Sequence, residues 1–134
     1  MIFRLLRDQR AGVTVLAAVL IPIMLMIGLV LHDITIIYKA RGEAQTAADA
    51  GAKAAGLELS PYFGVGGNPE AAAGQGVTRN GASLLECSFG LRGGMSWVTV
   101  KAARPASLIL LGGKRAMISA TARCYLDPVS RISK

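Results

Sequence analysis

Residues 12–38 read GVTVLAAVLIPIMLMIGLVLHDITIIY and form the most apolar stretch of this 134-residue chain. Between Arg10 and His32 lie 21 residues without a charge. A helix of that length spans about 31 Å at about 1.5 Å per residue, which is close to the thickness of a bilayer's hydrocarbon core. We therefore predict a transmembrane helix over residues 13–38, preceded by a basic leader over residues 1–12.

Charged residues lie at both ends of this span. Three arginines against one aspartate precede it, and this favours a cytoplasmic N-terminus and an extracytoplasmic C-terminus. Lys39 and Arg41 nearly balance the arginines at the other end, so the orientation rests also on the features below. His32 and Asp33 close the apolar run, and an ionisable residue at membrane depth is a functional candidate. Because both fall where water is within reach, we interpret the pair as interfacial.

The helical pattern continues past the span to Gly56. Small residues recur there along one face, at spacings of four and three: Ala40, Ala44, Ala47, Gly51 and Ala54. Such a face lets another helix approach closely. The alternative is a monomeric, alanine-rich stalk that is helical by propensity alone. We favour helix packing and predict one helix over residues 13–56, in which residues 39–56 project as a stalk.

The remaining residues, 57–134, predict a small extracytoplasmic head. Asn68-Pro69-Glu70 is typical of a helix start and Asn80-Gly81 of a helix end, so a helix is expected over residues 69–80. Three stretches alternate apolar and polar residues as strands do: 83–89, 95–102 and 116–125. The glycines within residues 91–94 predict a hairpin turn. The fold class is therefore α+β, with a long N-terminal helix, one head helix and a three-stranded antiparallel sheet.

The expected connection between the second and third strands, roughly residues 103–114, is unusually apolar. It contains Pro105 and the run SLILLGG, followed by Lys114 and Arg115. An exposed SLILL would be unusual in a solitary soluble protein. The run therefore either packs on the sheet or meets a partner or the bilayer.

Cys87 and Cys124 are the only cysteines. The alternation places each on the apolar face of its strand, Cys87 together with Leu85 and Phe89. In an exported head they can form a disulfide that closes a loop of about 37 residues, worth on the order of 3–4 kcal/mol on the chain-entropy model. Two buried free thiols are the alternative for a cytosolic domain, and a metal site lacks a nearby histidine. We predict the disulfide, conditional on export.

The chain lacks the side-chain combinations that catalysis requires. Its sole histidine lies in the membrane helix, so no Ser/His or Cys/His pair is expected in the head. The glycines follow no phosphate-loop spacing. The net charge is +7, but the head's basic residues are scattered and have no aromatic residues interleaved among them. We predict no enzyme activity, no cofactor, no metal and no nucleic-acid partner.

The N-terminal part resembles the TadE/TadG-like proteins of tight-adherence (Tad or Flp) pilus and related secretion systems. The resemblance lies in the basic leader, Ala11-Gly12, and the runs VTVLAAVLIPIMLMIGLVLHD and YKARGEAQTAADAGAKAAG. The later run RNGASLLEC, residues 79–87, is similar to the short actinobacterial TadE-like pseudopilins. The resemblance implies a pilin-like fold and cleavage of the leader between Gly12 and Val13 by a prepilin peptidase. It also implies other pilin-like subunits and membrane lipid as partners.

One position departs from the pilin pattern. Pilin-like proteins usually carry glutamate at the fifth mature position, where its charge is thought to pair with a neighbouring subunit's N-terminal amine, and here that residue is Ala17. The departure favours a minor pseudopilin over a major filament subunit. We therefore expect a structural, single-pass membrane component of a Tad-type pilus or secretion apparatus. The alternative is a signal-anchored binding module that keeps its leader and presents a basic head to wall polymer, lipid or another protein.

Overall fold

The computed structural model describes residues 9–60 and 67–126. Its elements are helix α1 (Gln9–Leu59), helix α2 (Pro69–Arg79) and strands β1 (Ser83–Arg92), β2 (Met95–Leu108) and β3 (Lys114–Leu126). The strands form one antiparallel sheet in the order β1-β2-β3. This is the predicted α+β fold, with a long apolar helix and a small head. Residues 1–8 of the predicted leader, residues 61–66 between the two helices and the C-terminal residues 127–134 lie outside the described residues.

Helix α1 has an uncovered half and a covered half. From Val13 to His32 every residue is exposed, and the helix continues through Pro22. From Asp33 onward one face is buried against the head. That face comprises Asp33, Ala40, Ala44, Ala47, Ala48, Gly51, Ala52, Ala55 and Gly56. The two halves therefore meet where the apolar run of the sequence ends.

The stalk that we expected to project is part of the head's hydrophobic core. Its small side chains pack against α2 and the sheet in one cluster, which includes Ala47, Ala52, Ala73, Val77, Val98, Val100 and Ala122. Four of the five residues of the predicted stripe are buried, and Ala54 is half-buried because the buried face passes through Ala55. Our expectation of a separate stalk is corrected, since the head folds back along α1.

Another helix does approach the small-residue face, and it is α2 of the same chain. A Cβ atom at Gly76 would lie 2.9 Å from the carbonyl oxygen of Ala50 and 3.0 Å from the Cα of Gly51. A Cβ atom at Gly51 would lie 2.7 Å from Cγ2 of Val77. The two glycines therefore allow the backbones to touch. The helix that approaches this face therefore belongs to the same chain, and the face is not free for a helix of another subunit.

Helix α2 has the predicted start, with Asn68 as its N-cap. The Asn68 side chain accepts hydrogen bonds from the backbone N–H groups of Glu70 and Ala71, at 3.0 and 3.2 Å. At the other end, Arg104 of β2 donates to the carbonyl oxygen of Asn80 at 3.2 Å, and its Nε lies 2.7 Å from a carboxylate oxygen of Glu43. One guanidinium thus joins β2, α1 and the end of α2.

Strand β1 departs from the predicted alternation at a β-bulge. The pairing with β2 shifts between Leu84 and Glu86, which turns Leu84 toward the core. Leu85, which we expected on the apolar face, is 53% exposed as a result. Phe89 shares the core-facing side with Cys87 but is 47% exposed. The alternation of residue types could not show the bulge, because Leu84 and Leu85 are equally apolar.

Strand β2 is longer than predicted and contains Pro105, which pairs with Met117 of β3. Pairing with β1 ends at Ala103, so β2 has a free edge beyond that residue. A proline is tolerated where an edge needs no donor. The predicted connection over residues 103–114 is therefore mostly strand, and only residues 109–113 form the turn.

Cys87 and Cys124 are free thiols, so the predicted disulfide is absent. Cys87 pairs with Val100 and Cys124 with Val98, so the central strand β2 lies between them. Two strand spacings amount to about 10 Å, whereas a disulfide requires Cα atoms within about 7 Å. The alternation gave the shared face of the two residues but not the strand between them.

The Cys87 thiol is expected to react slowly with alkylating reagents near neutral pH. Burial raises the pKa of Cys87, and the negative charge of Glu70 raises it further. The fraction of reactive thiolate is therefore lower than for an ordinary cysteine. Substituting Glu70→Gln should move the midpoint of the pH profile of Cys87 alkylation to lower pH, though not to the ordinary value, because burial is the larger cause. Mass spectrometry of the Cys87 peptide gives this profile.

Glu86→Gln is the matched control for that measurement, because it removes the same charge from the neighbouring residue, which is exposed. We expect it to leave the midpoint unchanged. Equal shifts in the two variants would show that Glu70 has no specific effect on Cys87.

Candidate functional site at the junction of span and head

The apolar half of α1, residues 13–32, carries the longest run of exposed apolar side chains among the described residues. Its large apolar side chains from Val13 to Leu31 are mostly 40–70% exposed, and none is buried. Among residues 9–60 and 67–126, α1 is the one helix long and apolar enough to cross a membrane. A surface of this kind requires lipid or other apolar helices around it.

Asp33 joins the head to the end of this apolar half. Its two carboxylate oxygens accept hydrogen bonds from the backbone N–H groups of Ile109 and Leu110, at 2.9 and 2.8 Å. The residue is only 5% exposed. Hydrogen bonds to a charged acceptor are among the stronger ones in proteins. Asp33 therefore fixes the β2–β3 turn beside the helix, a role that its interfacial interpretation from sequence missed.

The β2–β3 turn, residues 109–113, is here called the hairpin tip. It does not pack on the sheet: Ile109, Leu110 and Leu111 are 49%, 50% and 54% exposed. Lys114 and Arg115 follow it and are exposed as well. Of the alternatives that the sequence left open for this run, packing on the sheet is therefore wrong for the tip, although Leu108 just before it is buried.

The predicted processing site lies near the start of α1. The Gly12–Val13 bond is in the helix that begins at Gln9, Val13 is 69% exposed, and a Cβ atom at Gly12 would meet nothing within 4 Å. Ala17 is exposed in the next turn. Gly12 thus has room for a side chain, and cleavage of the bond stays a prediction.

A second feature lies at the opposite end of the sheet, about 40 Å from the tip at about 3.3 Å per strand residue. It is a cleft of about 440 Å³, here called the distal cleft, lined by Arg92, Gly93, Met95, Trp97, Arg123 and Tyr125. Arg123 donates to the hydroxyl oxygens of Thr99 at 3.0 Å and Tyr125 at 3.3 Å. The sheet thus brings basic and aromatic side chains together that the sequence separates.

The turn between β1 and β2 forms one rim of the distal cleft. Gly93 and Gly94 have φ angles of 60° and 83°, which other residues rarely adopt, so they permit the predicted hairpin turn. Trp97 lies over Gly90, where a Cβ atom would be 3.0 Å from the indole ring. The pairing of Trp97 with Tyr125 was invisible in the sequence, because strand register was unknown.

Comparison with known proteins gives one family match, and it covers the N-terminal part of the chain. Residues 11–68 match the family described as putative Flp pilus-assembly TadE/G-like. Neither the curated proteins nor the solved structures give a significant match. The matched segment contains the Gly12–Val13 bond, the apolar half of α1 and the small-residue face. The resemblance seen in the sequence is thereby confirmed over residues 11–68, which are similar to the TadE/G-like proteins of Flp pilus assembly.

Proposed function

We propose that this protein is a minor pilin-like (pseudopilin) subunit of a Tad-type pilus or related secretion apparatus. The observation that carries the proposal is the division of α1, in which residues 13–32 are uncovered while the head packs on the rest. An uncovered apolar helix suits both a bilayer and a filament core built from similar helices. Its role is then structural, without catalysis.

The surface available for packing against other pilin-like subunits is smaller than the small-residue stripe suggested. The face from Ala40 to Gly56 is occupied by the chain's own head, so subunits would pack through residues 13–32. Ala17 lacks the charge that would pair with a neighbour's N-terminal amine. The proposed subunit therefore joins a filament in few copies, at a tip or during assembly.

The proposal includes an orientation and a processing step. The arginine-rich leader lies in the cytoplasm, the prepilin peptidase removes residues 1–12, and the head lies outside the cell membrane. The apolar helix that begins at Val13 then remains in lipid until other subunits replace the lipid around it.

The mature N-terminus tests the processing step. We expect mass spectrometry of the protein from membranes to give a start at Val13 with an active prepilin peptidase and at Met1 with an inactive one. Gly12→Leu should keep the start at Met1 under both conditions, because it places a large side chain at the bond that is cut. Gly28→Ala is the control within the same helix and should be processed normally. A start at Met1 in the unsubstituted protein under both conditions would contradict the proposal.

The second candidate is the signal-anchored binding module, and the distal cleft favours it. Arg92 and Arg123 line this cleft together with Trp97 and Tyr125, and two positive charges beside aromatic side chains suit an anionic polymer of the wall. Fractionation of sheared filaments separates the two candidates. A pseudopilin is expected partly in the filament fraction, whereas the anchored module stays entirely in membranes.

A further inference from the structure

We propose that the hairpin tip is a second membrane contact of this protein. The side chains of Ile109, Leu110 and Leu111 enter the outer interface of the bilayer beside α1, and lipid is the partner that covers them. The inference requires that α1 spans the membrane, but it does not require that the protein enters a filament. It can therefore fail while the proposed pseudopilin role holds. Equally, the pseudopilin role can fail while the tip still contacts the bilayer.

The first argument is position. Asp33 accepts hydrogen bonds from the N–H groups of Ile109 and Leu110 at 2.9 and 2.8 Å, and only His32 separates Asp33 from the charge-free run of α1. The tip is thus fixed at the level where a span of about 30 Å leaves the hydrocarbon core. The apolar side chains of the tip and the exposed Leu31 of α1 therefore lie at neighbouring depths.

The second argument is the state of the tip's backbone. A turn can enter an apolar layer only if its polar backbone groups have partners. Two N–H groups are bonded to Asp33, and others donate within the turn: Gly112 to Ile109, Gly113 to Leu108 and Lys114 to Leu111, at 2.9, 2.9 and 3.4 Å. Five of the six N–H groups from Ile109 to Lys114 therefore have partners, which favours a place in the interfacial layer of the bilayer, while the three large side chains of the tip are about half exposed in the described structure.

The third argument is charge. Lys114 and Arg115 follow the tip on β3 and are exposed. Basic residues beside an apolar contact attract anionic headgroups, and their long side chains reach the headgroup layer from the interface. A second copy of this chain would bring the same positive pair against them. Anionic lipid therefore suits the tip better than another copy.

The consequence is that the head lies against the membrane and does not swing freely above it. The rigid strands β2 and β3 connect the tip to the distal cleft, so inserting the tip fixes the cleft at about 40 Å from the bilayer surface. A subunit entering a filament would have to withdraw the tip from lipid as well as the helix.

Tryptophan depth measurement in vesicles tests the inference. The full chain with Trp97→Phe and Leu110→Trp is reconstituted in phosphatidylcholine–phosphatidylglycerol vesicles whose acyl chains carry bromine. The matched control is Leu91→Trp in the same background, because Leu91 is 75% exposed in the other hairpin. We expect quenching of Leu110→Trp to be at least about twofold greater, with emission at shorter wavelength, as for a side chain buried in the boundary of headgroups and acyl chains.

Three results would overturn the inference. One is equal quenching of Leu110→Trp and Leu91→Trp. Another is a short-wavelength emission of Leu110→Trp that bromine does not quench and that grows with the ratio of protein to lipid, which would show a second copy as the occupant. Leu111→Trp repeats the measurement, so a folding defect of one variant does not decide it. The third is a neutralised pair, Lys114→Gln with Arg115→Gln in the Leu110→Trp background, whose quenching still rises with phosphatidylglycerol as steeply as when both charges are present, whereas we expect neutralisation to remove this dependence.

Discussion

Replacing Gly76 with alanine is expected to lower the free energy of unfolding of the head by about 1–2 kcal/mol. A new Cβ atom would lie 2.9 Å from the carbonyl oxygen of Ala50 and 3.0 Å from the Cα of Gly51. Both are backbone atoms of α1, so no side chain can rotate away and α2 must shift as a unit. The shift loosens the core cluster under α2, and this loss exceeds the gain of about 1 kcal/mol that alanine brings to a helix interior.

Gly74→Ala is the matched control, on the same helix and two residues away. A Cβ atom there would meet Leu84 Cδ2 at 3.8 Å, an ordinary contact, so the helix preference acts alone. We expect it to leave stability unchanged or to raise it by up to about 1 kcal/mol. Urea unfolding of the full chain in detergent micelles, followed by Trp97 fluorescence, measures both. Destabilisation of equal size in the two variants would contradict the close approach of α1 and α2.

The elements of this fold were predictable because their signals are local. The charge-free run, the Asn68-Pro69 start and the paired glycines at 93 and 94 each act through a few neighbouring residues. The partners of those elements were not predictable. The stripe from Ala40 to Ala54 indicated close packing by its spacing, but nothing in that spacing distinguishes a neighbour's helix from α2 of the same chain.

Long-range placement explains the other differences. The disulfide prediction needed the strand order, because Cys87 and Cys124 share a face but lie on either side of β2. The distal cleft needed the register that sets Trp97 opposite Tyr125. Both depend on which strands pair, and the pattern within a single strand does not carry that information.

Asp33 was a functional candidate in the sequence, but its role was misinterpreted. An ionisable residue at the end of a membrane span indicates a function by default, and its access to water made the interfacial interpretation reasonable. That interpretation omitted a partner from outside the helix. Burial to 5% exposure and two backbone donors 76 and 77 residues away could be seen only in the folded chain.

Replacing Asp33 with alanine is accordingly expected to release the hairpin tip from α1, at a cost of about 2–4 kcal/mol in the stability of that contact. The N–H groups of Ile109 and Leu110 then lose a charged acceptor, and amide hydrogen exchange at these two residues should speed up by about a hundredfold. Asp33→Asn offers one acceptor oxygen in place of two, so its exchange rates should fall between those of the alanine variant and the unsubstituted protein.

Asp49→Asn is the control on the same helix, because Asp49 is exposed and accepts only from Gln45 at 3.2 Å among the described contacts. It should leave exchange at the tip unchanged.

Measuring exchange in the Asp33→Ala variant in bilayers as well as in micelles tests whether the tip lies in lipid. Water can replace Asp33 as the acceptor only if it reaches the tip. If the tip lies in lipid, Asp33→Ala therefore lowers the stability of the contact between the tip and α1 more in bilayers than in micelles. An equal effect in both would leave Asp33 as a clamp within the head and would remove the membrane from its role.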